Sequence, residues 1–95
     1  MFIVLLRFST AKSRASELMA AHGEWIKRGL DEGVFLLVGS IQPNLGGVVL
    51  ATRATRSELE QRVQSDPFVA HDVVKAELIE VSPSKTDPRL AFLLA

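Results

Sequence analysis

Apolar and polar positions along this chain follow two different periods, and the switches between them mark its elements. Phe2 to Phe8 is a short apolar run rich in aromatic and branched residues, ending at Ser9-Thr10, which predicts a strand buried on both faces. From Ser13 to Gly33 the period becomes helical. Leu18, His22, Trp25 and Gly29 follow at steps of four, three and four, flanked by Ala21, Ile26 and Leu30, while the charged residues mostly fall elsewhere. Thr10 or Ser13 suits the helix start as a cap, and Gly33 suits its end. Val34 to Ile41 and Gly47 to Arg53 predict two more strands, joined through turn-forming residues between Gln42 and Gly47. Thr55 to Ser65 predicts a second helix. Thr55 and Glu58 have capping-box spacing, and Leu59 and Val63 form an apolar line. Asp66-Pro67 ends that helix, because a residue before proline disfavours helical geometry. Phe68 to Asp72 leaves room for one short turn before a last strand, Val73 to Ser82.

The resulting order, β-α-β-β-α-β, predicts an α+β, ferredoxin-like fold: a four-stranded antiparallel sheet with two helices on one face. Two helices leave the other face open, yet nearly every strand supplies Phe, Leu, Ile or Val to it. A second copy of the chain is the simplest cover, which predicts a homodimer with sheets packed face to face. The folded unit spans residues 1–82. Residues 83–95 change character: Pro83, Lys85, Asp87, Pro88 and Arg89 read as linker, and Leu90 to Ala95 is strongly apolar. An exposed tail of that kind docks, either at the dimer interface or back on its own sheet.

Charge and composition narrow the function classes. Eleven basic and eleven acidic residues cancel, which removes the usual electrostatic case for nucleic acid. The strands also lack the aromatic-basic run of a sheet that stacks RNA bases. The absence of cysteine excludes disulfides, thiolate metal sites and a thiol nucleophile. The apolar start, Met1 to Leu6, is ended by Arg7, too short for a signal-peptide core, and no run has the length of a membrane span. These features predict a cytoplasmic protein with no membrane partner.

Candidate chemistry concentrates at His22. An imidazole titrates naturally near neutrality (~6.5), so it serves as acid or base with little tuning. A carboxylate would fix its tautomer, and Asp66, closing an element that runs beside the first helix, is best placed to do so. The competing reading is a histidine buried for packing, with Asp66 only initiating a turn. Trp25, one turn beyond His22, and Phe68 are candidate apolar walls, although both also suit the core. Gly46 and Gly47 offer backbone amides for an anion or carbonyl, or simply a turn into a strand. Ser40 is a candidate hydroxyl without the elbow motif of a nucleophile. His71-Asp72 has no ligand spacing relative to His22, and neither a metal nor a cofactor is expected.

Taken in order, His22-Gly23-Glu24-Trp25, Gly33, Gly39, Gly46-Gly47 and Asp66-Pro67-Phe68 give the chain a resemblance. It resembles the YCII-related family of small bacterial proteins, within the dimeric α+β-barrel, ferredoxin-like superfamily, over roughly residues 1 to 82. The resemblance implies a dimer and an active site built on a histidine–aspartate pair, carried over to His22 and Asp66. Relatives in the superfamily include lactone isomerases, dehydrochlorinases and oxygenases of small cyclic compounds. Relatives commonly have Gly-Pro where this chain has Gly39-Ser40, which alters the floor of the implied cleft. Two functions follow as expectations. One is a cofactor-independent, isomerase- or lyase-like enzyme moving a proton on a small cyclic or carbonyl compound. The other is a noncatalytic dimer that binds a small ligand or a protein partner. For the enzyme, replacing His22 by alanine is expected to abolish turnover while sparing the fold.

Overall fold

The computed structural model describes residues 1–94. Its elements are β1 (Phe2–Phe8), α1 (Ala15–Asp31), β2 (Phe35–Ile41), β3 (Gly46–Ala51), α2 (Arg56–Gln64), α3 (Pro67–Ala70) and β4 (Val74–Glu80), with 3-10 turns at Lys12–Arg14 and Pro88–Leu94. The strands lie in the order β2-β3-β1-β4, every pair antiparallel. This is the ferredoxin-like α+β arrangement expected from the element order. Opposed residues share a face, so Phe2, Val4 and Leu6 of β1 join Val49 and Ala51 of β3 beneath the helices, where all five are buried.

Two contacts seat α1 on this sheet. A Cβ on Gly29 would lie only 2.1 Å from the Phe35 ring, so the bare glycine is what lets that ring lie against the helix. Trp25 meets Phe35 edge-on at 4.9 Å, and its indole Nε1 donates to the Arg62 carbonyl at 2.9 Å, tying α1 to α2. Burying a ring of that size (~150–250 Å²) is worth at most about 4–6 kcal/mol. Gly33 stops the helix as expected: it adopts φ +74°, its amide bonds to Leu30 and the next amide, Val34, bonds to Gly29. α2 opens with a complete capping box. The Thr55 hydroxyl accepts from the Glu58 amide, and the Glu58 carboxylate accepts from the Thr55 amide at 2.8 Å.

Some boundaries and faces differ from expectation. Neither Thr10 nor Ser13 caps α1, because the Lys12–Arg14 turn already feeds its amides to the Ser9 and Ala11 carbonyls. β3 ends at Ala51, since Arg53 turns through φ 59° toward α2. β1 is buried on one face only: Ile3 and Leu5 are half-buried and Arg7 is exposed, because the helices cover the opposite side. The tail does not pack into the core, and Leu90, Phe92 and Leu94 are exposed. Ala95, the last residue of the expected tail, lies outside the described residues. No helix among the described residues is long and apolar enough to cross a membrane.

Candidate active site

The segment Ser65-Asp66-Pro67-Phe68 carries the local geometry on which the site depends. Proline holds the preceding residue extended, and Asp66 has φ −64° and ψ 125°. In that conformation its side chain folds forward, and Oδ1 accepts the Phe68 amide at 3.1 Å, capping α3. α3 packs against α1, so the same oxygen also reaches His22, whose Nδ1 lies 2.7 Å away. A carboxylate only accepts, so Nδ1–H donates, and the lone pair of the neutral ring resides on Nε2. The two residues stand 44 positions apart in the chain.

Burial divides the pair into a fixed partner and an accessible one. Asp66 is fully buried, and its second oxygen, Oδ2, is sealed from solvent without a hydrogen-bond partner among the described residues. His22 keeps 12% of its side chain exposed. Its ring lies flat on Phe68, with centroids 3.9 Å apart and planes within 2°. Trp25 stacks more loosely on the His22 side, 5.9 Å away. Stacking on Phe68 and a charged hydrogen bond to Nδ1 together leave the imidazole little freedom to turn.

His22 lines a hollow of about 380 Å³ between α1 and the β1–β3–β2 part of the sheet. Ser40, Gly46, Gly47 and Phe68 also line it, so four of the five residues expected to bind a ligand meet there with His22. Asp66 stands behind the wall, reaching the hollow only through His22. Trp25 departs from expectation: it is buried between α1 and α2 and borders a separate groove with Arg28 and Arg62. Gly46 and Gly47 belong to a strand paired on both edges, so their amides serve the sheet. What they offer the hollow is the absence of side chains.

Met19, Ile26, Leu6 and Val38 complete much of the apolar lining. Met19 was legible in principle, since it stands one helical turn before His22. Leu6 and Val38 depend on strand register, which no local signal supplies. None of the lining residues is charged; the Lys12 ammonium lies 4.6 Å from the centre of the Phe8 ring, which is part of the lining. His71 lies on the surface with Nδ1 3.5 Å from an Arg14 nitrogen. Among the described residues no group of three His, Cys, Asp or Glu side chains is arranged to hold a metal ion.

The family model of the YCII-related domain matches residues 1–82. No curated protein matches the chain. Among solved structures it is similar to the 5-chloro-2-hydroxyhydroquinone dehydrochlorinase of Burkholderia phenoliruptrix AC1100, in complex with 2,5-dihydroxybenzoquinone. The likeness has a TM-score of 0.69 at 13% identity and covers 85% of this chain and 93% of that one. At that identity the two share a fold, and the fold alone assigns no chemistry.

Proposed function

We propose that this chain, which belongs to the YCII-related domain family, is a small-molecule enzyme in which His22 moves a proton and Asp66 positions it. The observation that carries the reading is the 2.7 Å contact between His22 Nδ1 and the buried Asp66 carboxylate at the wall of the hollow. Nε2, the basic nitrogen of the neutral ring, is left for a bound compound. In the proposed step Nε2 removes a proton from carbon or oxygen of a small cyclic or carbonyl compound. The electron pair moves toward a neighbouring carbonyl, and Asp66 offsets the charge on the imidazolium. Returning the proton to another carbon gives isomerisation; expelling a leaving group instead gives elimination. The dehydrochlorinase of like fold acts on a compound of this general kind, which favours the enzyme over a noncatalytic binding module.

A homodimer belongs to the same proposal. On the sheet face away from the helices, Ile3, Leu5, Val48 and Leu50 adjoin Leu37 and Ile79, which are 50% and 39% exposed. A second copy would cover this apolar surface, and the exposed tail would dock at its edge.

The test is turnover of a panel of hydroxyquinols, chlorinated hydroquinones and small lactones by the wild type and by His22→Asn. Asparagine keeps an amide donor for Asp66 but removes the basic nitrogen. The expected loss in kcat is roughly 10²–10⁴-fold. Equal turnover in the variant would contradict the role of His22. Binding of panel compounds without conversion by the wild type would favour the noncatalytic module.

A further inference from the structure

We infer that the hollow admits a neutral single-ring compound and that the bare backbone of Gly47 sets the size of ring it accepts. The inference rests on reading the hollow as the substrate site.

Charge comes first. The lining is mostly hydrocarbon, with its polar side chains limited to His22 and Ser40. No arginine or lysine lines it; the Lys12 ammonium, 4.6 Å from the centre of the Phe8 ring, is exposed and stands outside the lining. An anionic group entering such a hollow would lose hydration and find no arginine or lysine among the side chains that line it. A carbonyl or hydroxyl needs one or two partners, which His22 and Ser40 supply. A volume of about 380 Å³ stands near the lower end of ligand pockets, which run from about 300 to 1,000 Å³, and suits one ring rather than two.

The two adjacent glycines are bare for different reasons. At Gly46 a Cβ would lie 2.0 Å from the Leu6 carbonyl oxygen, and φ is +137°, so the backbone itself requires glycine. At Gly47 neither constraint holds. Its nearest neighbour to a Cβ is the Gly39 carbonyl at 3.4 Å, an ordinary contact, and its φ is not in the left-handed region. Glycine weakens a strand interior relative to almost any other residue, so the fold gives no reason for it here. Gly47 is in register with Leu6 on one side and Ser40 on the other. Both of those line the hollow. A side chain at position 47 would therefore rise from the floor between them into the space facing His22. The missing side chain is volume kept for the ligand.

The experiment compares acetophenone with benzoate, which share a ring and a planar outline but differ in charge. Dissociation constants are read from amide shifts of Ser40 and Val49 in the intact chain. Acetophenone is expected to bind at least roughly tenfold more tightly than benzoate. Gly47→Ala should weaken acetophenone by roughly three- to tenfold while melting no lower than wild type, and Gly47→Leu should abolish its binding. Benzoate binding as well as acetophenone, no binding of either, or an unchanged acetophenone constant in Gly47→Ala would each overturn the inference. These readouts are binding constants and need no turnover. Unchanged turnover in His22→Asn would sink the catalytic reading and leave this selectivity standing, and the reverse also holds.

Discussion

Replacing Asp66 by asparagine probes the pair with the least change in shape. In the wild type one oxygen, Oδ1, accepts from His22 at 2.7 Å and from the Phe68 amide at 3.1 Å, with the residue fully buried. Hydrogen bonds to a charged group are worth about 1.5–3 kcal/mol, against about 0.5–1.5 for neutral ones. Asparagine keeps the acceptor but weakens both bonds, a loss of about 2–3 kcal/mol in sum. It also places an amide donor where Oδ2 stands, a sealed position without a partner among the described residues. That adds about 1–3 kcal/mol, offset by no longer burying a charge. The net expectation is a loss of about 2–3 kcal/mol, a fall in Tm of about 10–15 °C for a domain of this size. Urea unfolding of wild type and Asp66→Asn, with the slope unchanged, measures it. In a double-mutant cycle with His22→Ala, which removes the ring donor, the two residues should couple by more than about 1 kcal/mol. A loss under about 0.5 kcal/mol, or strict additivity, would refute the reasoning and make the contact incidental.

Gly46→Ala should destabilise by about 3 kcal/mol or more, because its Cβ collides with the Leu6 carbonyl at a left-handed φ, while Gly47→Ala should be neutral or gain up to about 1 kcal/mol; paired thermal melts distinguish them. Thr55→Ala, which breaks the capping box of α2, should cost about 1 kcal/mol in urea unfolding. The hydrogen bond from the Thr55 amide holds the Glu58 carboxyl below its usual value of 4.5. The stability this bond supplies is complete above 4.5 and is lost as pH falls through the lower folded-state value. The stability gap between wild type and Glu58→Gln should therefore be widest at neutral pH and close in strong acid. Leu37→Asp, on the open sheet face, should shift the particle mass seen by light scattering from dimer to monomer, and a wild type already monomeric would remove the proposed dimer.

The fold was legible because its signals are local. Period changes separate strands from α1, and Gly33, Thr55 and Asp66-Pro67 mark ends that the backbone uses as residue type suggests. The start of α1 was not, since a 3-10 turn satisfies amides that a capping side chain would otherwise take. His22 and Asp66 were legible as candidates from chemistry and resemblance, and α3 brings them into contact. Trp25 shows the limit of helical spacing: it shares the apolar face with His22, yet a few tens of degrees of rotation put it between helices rather than against the hollow. The expectation that alanine at position 22 spares the fold also needs revision. Removing the imidazole leaves a fully buried carboxylate with only the Phe68 amide as partner. That is why asparagine, which retains a donor, separates catalysis from stability better.

The state of the His22 ring can be observed directly by nitrogen-15 NMR of the imidazole at a pH where the ring is neutral. Hydrogen on Nδ1, with a bare Nε2 and a slowly exchanging Nδ1–H signal that disappears in Asp66→Ala, is the outcome that a base held for work at the hollow requires. Hydrogen on Nε2, or free exchange between both nitrogens, would mean that Asp66 does not orient the ring and that the proposed centre has no poised base.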